Sequence, residues 1–208
     1  MGLDQLSDRY AEHNRSERGA GFVFARPERE VLFKRYVGGP GRRVLDLGCR
    51  DGALTQAFLS GNDVVGIDAD QDALAEAAKL GIETHWADLD QPLQLPDESF
   101  DVVVAGELLE HLRDPHALVA EIRRVLRPAG TFVASVPNAY RLKGRLLFLF
   151  GRPPENDPTH LQMFSAADVR GLLRGFDDPQ LHFVAGRLVP LHGRLFANDI
   201  VFSGRKLR

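Results

Sequence analysis

The sequence predicts an α/β fold in which helices cover both faces of a doubly wound parallel sheet. From residue 43 onwards, short apolar runs alternate with helical stretches, which is the pattern of repeated β–α–β units. One of these runs, Asp101–Ala105, consists almost entirely of β-branched or apolar residues, as expected of a central strand buried on both faces. The chain has 208 residues, and this length suits a single domain.

Composition and charge narrow the class of protein further. Hydrophobic residues make up 44% of the chain and charged residues 26%, which excludes disordered, collagen-like and disulfide-stapled chains. The formal net charge of -3 and the pI of about 6.2 disfavour a general affinity for nucleic acid. Cys49 is the only cysteine, so neither an intramolecular disulfide nor a thiolate zinc cluster can form. Because the longest strongly apolar run is only Leu146–Phe150, we expect a cytoplasmic protein without a membrane span.

The first forty residues are predicted to form a helical lid. Residues 3–18 and 27–36 have the composition of polar or amphipathic helices, and Gly38–Gly41 interrupts the chain after them. We divide the single domain into four parts: an N-terminal helical lid (1–40), a cofactor-binding core (41–138), a substrate-side insertion (139–164) and a C-terminal helix with strands (165–208).

Strands follow from apolar or β-branched runs, and helices from capping residues and helical spacing. Asp114 followed by Pro115 is a typical helix start. The apolar residues Leu118, Ile122 and Val125 then recur at helical spacing. Strands are predicted at residues 43–47, 63–67, 82–86, 101–105, 131–136, 181–185 and 197–203. Helices are predicted at about 53–60, 73–80, 115–126 and 165–173.

The loop after the first strand, Asp46–Gly52, indicates a nucleoside ligand. In open parallel sheets the ligand lies beyond the carboxyl ends of the strands, and this loop joins such an end to a helix. Its glycines allow a tight turn and a close approach of backbone to ligand. Asp68 ends the second strand twenty positions after Gly48, where a carboxylate can accept both hydroxyls of a ribose.

Two kinds of nucleoside ligand compete for this loop. A dinucleotide-binding loop has the pattern G-x-G-x-x-G, but Arg50 and Ala53 stand at its second and third glycine positions. The carboxylate of Asp46 would also lie unfavourably close to a pyrophosphate. It suits instead a ligand that carries an ammonium and a sulfonium group, so a dinucleotide is the weaker interpretation.

At these loops the sequence resembles the class I S-adenosylmethionine-dependent methyltransferases, within the methyltransferase type 11/12 group. The resemblance covers about residues 43–205. It rests on these motifs in order: Val44–Gly52 (VLDLGCRDG), Gly66–Asp68, Ala87–Leu89, Asp97–Ala105 (DESFDVVVA), Glu110–Leu112 and Leu126–Pro137 (LRPAGTFVASVP). The family implies a Rossmann-like sheet of seven strands, mostly parallel with the last strand antiparallel, and S-adenosylmethionine as cofactor.

The resemblance also assigns the contacts to the cofactor. Asp46 and Gly48 would contact its methionine part, and Asp68 its ribose. Ala69 would pack on the adenine, and Asp88 would bind the adenine amino group with help from the next backbone unit. The predicted cofactor-binding residues are Asp46, Gly48, Cys49, Arg50, Gly52, Asp68, Ala69, Asp88, Leu89 and Gly106.

Arg50 departs from the family pattern, which usually has a glycine at this position. A bulky cation here could point outward, meet the cofactor carboxylate or weaken cofactor binding. These alternatives lead to different functions, so the direction of the Arg50 side chain matters.

The loop after the fourth predicted strand carries candidate catalytic residues. If it makes a helical turn, Glu107, Glu110 and His111 share one face at spacing i, i+3 and i+4. His160 lies further along the chain, just before the helix predicted at 165–173. Methyl transfer to oxygen needs positioning, exclusion of water, and removal of a proton by a base or with a Lewis acid. We therefore take His111, Glu107 and His160 as candidate catalytic residues.

This combination resembles two groups of metal-assisted O-methyltransferases, those of ubiquinone biosynthesis and those that methylate the terminal ribose of small RNAs. Carried over, the resemblance implies that a divalent ion, Mg²⁺ or another, is held by Glu107, Glu110, His111 and His160. A Glu-His-Leu sequence also occurs in relatives without a metal, where the histidine is a base or lines the pocket. Both interpretations stay open. The remaining histidines are expected to be structural: His85, His116, His182 and His192.

The insertion indicates the kind of acceptor. Residues 139–152 carry four cations, no acid and an aromatic-aliphatic block, much as in the methionine-biosynthesis methyltransferase-like proteins and in methyltransferases of lipid and glycan pathways. A basic, apolar helix at the substrate mouth suits an anionic or lipid-linked acceptor, or peripheral contact with a membrane surface. Packing of Leu146–Phe150 against the N-terminal helices as a lid fits equally well. Four N-terminal residues are candidates to cover the site: Tyr10, His13, Phe22 and Phe24.

Taken together, these features favour an S-adenosylmethionine-dependent methyltransferase that O-methylates a small-molecule, glycan or lipid-linked acceptor. An RNA terminal-ribose methyltransferase would use the same metal-type motif, but the acidic balance of the chain opposes it. A catalytically weak cofactor-binding partner subunit is suggested by Arg50 and opposed by the acidic and histidine residues after the fourth strand.

Overall fold

The computed structural model describes residues 2–13, 19, 21–154, 157 and 159–208. Its helices are α1 (Leu3–His13), α2 (Arg26–Val37), α3 (Gln56–Leu59), α4 (Gln71–Lys79), α5 (Pro115–Val125), α6 (Leu142–Leu149), α7 (Ala166–Leu172) and α8 (Gly193–Phe196). Its strands are β1 (Arg43–Leu47), β2 (Asp63–Asp68), β3 (Glu83–Trp86), β4 (Phe100–Gly106), β5 (Leu126–Pro137), β6 (Phe176–Val184) and β7 (Asp199–Lys206). A 3₁₀ turn, Leu109–His111, follows β4.

The strands form one sheet in the order β3-β2-β1-β4-β5-β7-β6. Strands β1 to β5 run parallel, and β7 lies antiparallel between β5 and β6. This arrangement confirms the predicted fold class, including the antiparallel last strand. Since β1 pairs with β2 on one side and β4 on the other, the strand order reverses between them. A crevice beyond the carboxyl ends of β1 and β4 is therefore the expected ligand position.

Alternate side chains of the sheet enter two different buried layers, because successive residues of a strand point to opposite faces. Leu45 and Val103 belong to one layer together with Ile122 of α5. Val44 belongs to the other layer together with Phe33 of α2. Burial on both faces makes the centre of the sheet a rigid base for the loops at its carboxyl edge.

Several element boundaries differ from those predicted. Strand β6 begins at Phe176 instead of Leu181, although its first part is polar and contains Pro179. The strand is an edge strand, where proline is tolerated, and its pairing shifts register between Asp177 and Gln180. Helix α8 was not predicted, and residues 14–18 of the first predicted helix lie outside the described part of the chain.

Helix α3 is shorter than predicted because the residues before it have another role. Residues 51–55 form turns instead of α-helix, and these turns close the end of the β1 loop. Thr55 is fully buried there and its hydroxyl donates to Asp46 across 2.6 Å. Among the described helices, none has both the length and the apolar character needed to cross a bilayer.

Candidate active site

A cavity of about 550 Å³ lies at the carboxyl edge of the sheet, large enough for a nucleoside-sized ligand together with part of a second molecule. Its walls come from the loops after β1, β2, β3 and β4, from the segment before α2, and from the insertion around α6. Nearly all the predicted cofactor-binding residues line it: Asp46, Gly48, Cys49, Arg50, Asp68, Ala69, Asp88, Leu89 and Gly106.

The glycines of the β1 loop are required by the local backbone. Gly48 has a φ of 73° and its N–H donates to the carbonyl of Ile67 across 2.8 Å. A Cβ at Gly48 would lie 3.3 Å from Leu108, and one at Gly52 would lie 2.8 Å from Ile82. Gly52 thus lets the loop pack closely against Ile82, on the side away from the cavity. Gly48 lines the cavity. The loop therefore keeps its backbone open toward the cavity.

The carboxylate of Asp68 is oriented by backbone donors. Its Oδ2 accepts from the N–H of Arg50 across 2.9 Å, and its Oδ1 accepts from the N–H of Asp70 across 2.8 Å. Each oxygen can accept a second hydrogen bond, so a pair of ribose hydroxyls finds two fixed acceptors. Burial raises the pKa of Asp68, and the backbone hydrogen bonds oppose that shift.

Asp46 is a buried carboxylate at the end of β1, with 3% of its surface exposed. Burial raises its pKa to about 7, the hydrogen bond from Thr55 opposes this shift, and the nearby charge of Asp68 adds to it. A cationic ligand in the cavity would favour the ionised carboxylate. Asp46 is therefore suited to a ligand that carries an ammonium group.

The cation of Arg50 points toward the N-terminal segment. Its backbone has a φ of 49°, and its guanidinium donates to the carbonyls of Gly19 (2.7 Å) and Phe22 (3.2 Å). Next to it, Asp51 accepts from the N–H of Gly21 across 2.6 Å. The residue that departs from the family pattern thus helps to hold residues 22–24 at the cavity wall.

Phe22 and Phe24 line the cavity, as predicted for residues that cover the site. The side chains of the other two candidates, Tyr10 and His13, lie outside the described part of the chain. After β2 and β3, Ala69 and Leu89 are buried beside the cavity. The carboxylate of Asp88 accepts from the N–H two residues further on, across 2.9 Å.

Glu107 does not lie on the same face as Glu110 and His111. The helical spacing assumed from the sequence fails because Glu107 adopts a left-handed backbone conformation, with a φ of 54°, before the 3₁₀ turn begins. Its carboxylate pairs with Arg29 of α2 across 2.6 Å. Both side chains line the cavity wall.

Arg29 is the centre of a buried polar cluster that sequence reasoning missed. Only 2% of its surface is exposed. Besides Glu107, it donates to the hydroxyl of Ser135 and lies 3.8 Å from the carboxylate of Asp199. One guanidinium therefore faces two carboxylates at the cavity wall. Arg29 belongs to a polar helix in the sequence, where nothing marks it as buried.

Glu110, His111 and His160 are brought together, with their nearest ligand atoms all within 4.8 Å of one another. The ring centroids of the two histidines are also 4.8 Å apart. The N–H groups of Leu161 and Gln162 donate to the carbonyl of Glu110 across 2.7 and 3.0 Å. These backbone bonds fasten the segment that carries His160 to the turn after β4.

The orientation of His111 follows from a hydrogen bond to the backbone. Its Nδ1 lies 3.1 Å from the carbonyl oxygen of Thr159, and a carbonyl can only accept, so Nδ1 carries the proton. In the neutral ring the lone pair is then on Nε2. His111 is 7% exposed and lines the cavity, so it can act as a base or as a metal ligand there. His160 lies 3.6 Å from the carboxylate of Asp157.

Other histidines have partners away from this cavity. His182 Nε2 lies 2.6 Å from the hydroxyl of Tyr36, and burial lowers the pKa of His182. His85 pairs with Glu83 across 2.9 Å on an exposed edge of the sheet. Neither residue lines the site.

Comparison with known proteins gives consistent matches. A family model described as a methyltransferase domain matches residues 45–134. A probable S-adenosylmethionine-dependent methyltransferase of Mycolicibacterium smegmatis is 35% identical over 154 residues, which are 71% of this chain and 57% of that protein. A ubiquinone biosynthesis O-methyltransferase of Methylococcus capsulatus is 33% identical over 132 residues, 60% of this chain and 55% of that protein. The structure of a SAM dependent methyltransferase from Archaeoglobus fulgidus aligns with a TM-score of 0.70 at 21% identity, covering 95% of this chain and 99% of that one.

These matches concern the domain and not a whole relative. The chain spans a little over half the length of the two curated relatives, 57% and 55%. The matched region, 45–134, contains the loops after β1, β2, β3 and β4 that form the cofactor side of the cavity. The sequence match, the fold and the geometry of these loops agree: residues 45–134 carry a methyltransferase domain, and the chain is similar to S-adenosylmethionine-dependent methyltransferases.

Proposed function

We propose that this chain methylates a hydroxyl group of an acceptor that enters the cavity beneath α6. The observation that carries the proposal is His111, whose Nδ1 is held by the Thr159 carbonyl so that Nε2 can accept a proton inside the cavity. The similarity to ubiquinone biosynthesis O-methyltransferases supports an oxygen acceptor.

The cofactor side of the cavity has a group for each part of S-adenosylmethionine. Asp46 suits the ammonium, Asp68 suits the ribose hydroxyls, and Ala69 offers an apolar surface to the adenine. When bound, the cofactor supplies a methyl group on a sulfonium, a good leaving group for in-line displacement. The residues of this chain therefore need chiefly to orient the two partners and to exclude water.

On the acceptor side, the residues move a proton and hold the nucleophile. Nε2 of His111 would take the hydroxyl proton as the oxygen–methyl bond forms, and removal of such a base costs about 10²–10⁴ in rate. Phe22 and Phe24, held over the cavity beside Arg50, would limit access of water.

A divalent ion is the alternative within this proposal, because Nε2 of His111 cannot bind an ion and accept the proton at once while Nδ1 is held by Thr159. Glu110, His111 and His160 offer one carboxylate and two imidazoles, a donor set that suits Mn²⁺, Fe²⁺ or Zn²⁺ better than Mg²⁺. An ion held there would act as a Lewis acid that lowers the pKa of the acceptor hydroxyl. Glu107, the fourth ligand predicted from the sequence, is paired with Arg29, so we leave it out of the ligand set.

Transfer of a radiolabelled methyl group tests the catalytic part. The protein would be incubated with S-adenosylmethionine labelled in the methyl group and a set of phenolic and lipid-linked hydroxyl acceptors. His111→Gln should lower the rate at least about 100-fold while S-adenosylhomocysteine binding stays within about twofold. His85→Gln, on the exposed edge, is the matched control and should keep full activity. Full activity of His111→Gln would contradict the proposal.

Titration with Mn²⁺, followed by electron paramagnetic resonance, tests the metal part without any need for turnover. We expect one bound ion, lost in His160→Ala and retained in Glu107→Gln. If Mn²⁺ and Zn²⁺ do not bind and a chelator leaves methyl transfer unchanged, the ion is not part of the mechanism and His111 works as a base alone.

A further inference from the structure

The end of α6 carries a block of exposed apolar side chains. Phe148, Leu149 and Phe150 are 72%, 77% and 80% exposed, values that a packed lid would not show. Of the block Leu146–Phe150 only Leu147 lines the cavity. We call the exposed apolar residues from Tyr140 to Phe150 the α6 patch. Large apolar side chains that remain together in water mark an interaction surface.

Basic residues are interspersed with the apolar residues of the α6 patch along the chain. Residues 139–152 contain Arg141, Lys143, Arg145 and Arg152 and no acid, whereas the whole chain has a net charge of -3. The positive charge is therefore local, and it lies beside the apolar side chains that would have to be covered.

The α6 patch is continuous with the mouth of the active-site cavity. Arg141, Lys143 and Leu147 line the cavity, while Phe148 and its neighbours extend from the same helix into solvent. A molecule that contacts the patch is thus already at the entrance of the site. An acceptor dissolved in an apolar phase on the patch could enter the cavity without crossing water.

From these observations we propose that the α6 patch docks on an anionic lipid bilayer, with the aromatic and leucine side chains in the interface and the cations on lipid headgroups. Apolar insertion combined with basic headgroup contacts is the mode of interfacial helices. A second copy of this chain fits less well, because a symmetric contact would place the same cations against each other. Only the role of docking, which is to bring an acceptor to the cavity, rests on the proposed function. Bilayer binding itself requires neither cofactor nor acceptor.

Vesicle sedimentation tests the proposal with two lipid compositions, phosphatidylcholine alone and phosphatidylcholine with about a third phosphatidylglycerol. We expect binding to the anionic vesicles that weakens as salt is raised. Leu149→Ser should weaken it about tenfold or more. Removing one cation in Arg145→Gln should weaken it about fivefold.

Matched controls come from the other end of the sheet, where the parallel strands begin. Leu207, 51% exposed just after the end of β7, and Arg208 beside it are the controls for the apolar and basic changes. Leu207→Ser and Arg208→Gln should bind vesicles as the unaltered protein does. Equal losses for Leu207→Ser and Leu149→Ser would contradict the proposal.

Three further results would overturn it. They are no sedimentation with anionic vesicles at low salt, equal binding to both vesicle types, or a dimer in ultracentrifugation that Leu149→Ser dissociates without any vesicle binding. S-adenosylhomocysteine binding measured in solution stays separate from all three, so failure of docking and failure of the proposed function are distinguishable.

Discussion

The titration of Asp46 should make cofactor binding depend on pH near neutrality. Asp46 is 3% exposed, and burial raises its pKa to about 7. Below this pKa the side chain is protonated and has no charge to offer an ammonium group. Affinity for an ammonium-bearing ligand should therefore be lost as the pH falls through 7, and gained as it rises.

The size of the effect follows from the fraction of ionised Asp46. With a pKa of about 7, about nine tenths of the carboxylate is ionised at pH 8 and about one tenth at pH 6. If the ligand binds only the ionised form, its apparent dissociation constant is divided by that fraction. The dissociation constant of S-adenosylhomocysteine should then rise about tenfold from pH 8 to pH 6.

Calorimetry at the two pH values measures this directly, and buffers of different ionisation enthalpy report the proton released on binding. Asp46→Asn is the control: it should bind more weakly at pH 8 and lose most of the pH dependence, because an amide does not titrate. Equal affinity of the unaltered protein at pH 6 and pH 8 would show that ionisation of Asp46 does not control binding. If the dissociation constant of Asp46→Asn still depends on pH in the same way, another group titrates.

Three further predictions concern stability and the N-terminal segment. Without ligand, the folded state binds more protons than the unfolded state between about pH 4 and 7, so Asp46 lowers the free energy of unfolding as the pH rises. At pH 8, Asp46→Asn should therefore raise that free energy by at most about 4 kcal/mol and raise Tm. An unchanged Tm would contradict this. Arg29→Met leaves the carboxylates of Glu107 and Asp199 without their guanidinium and should cost about 3–5 kcal/mol in urea unfolding. Arg26→Met, which breaks only the exposed ion pair of Arg26 with Glu30, should cost under about 1 kcal/mol. Equal effects would show that the buried cluster is not held by Arg29. Glycine tolerates the left-handed backbone at position 50, so Arg50→Gly should leave the free energy of unfolding nearly unchanged. It should, however, speed amide hydrogen exchange at residues 21–24. Unaltered exchange there would mean that Arg50 does not hold this segment.

The parts of the fold that depend on apolar runs could be predicted from the sequence. Strand β1 has the predicted bounds, Arg43–Leu47, because a buried parallel strand is a short run of consecutive apolar residues between polar ones. The edge strand β6 could not be bounded in this way. Polar residues and Pro179 follow Phe176, and the pairing with β7 is interrupted between Asp177 and Gln180.

The candidate site was predictable where one short motif forms one loop. Asp46, Gly48 and Asp68 lie in such motifs and all line the cavity. The convergence of Glu110, His111 and His160 joins segments far apart in sequence, and the resemblance to known proteins suggested it where spacing alone could not.

Side-chain direction was the part that the sequence could not supply. The position of Glu107 depends on a left-handed φ of 54°, which glutamate rarely adopts, so a helical turn was the natural expectation. Arg29 lies in a helix that looks solvated, and only the folded chain brings it to Ser135 and Asp199. The direction of Arg50 depends on where the carbonyls of Gly19 and Phe22 lie, and no sequence pattern indicates their position.

Calorimetric titration of the protein with S-adenosylhomocysteine at pH 8, with a nicotinamide dinucleotide as control, shows whether the cavity binds the cofactor of a methyltransferase. The account predicts one-to-one binding at micromolar affinity, about 8 kcal/mol, no heat from the dinucleotide, and loss of binding in Asp68→Ala. No binding of S-adenosylhomocysteine, or unaltered binding by Asp68→Ala, would contradict it.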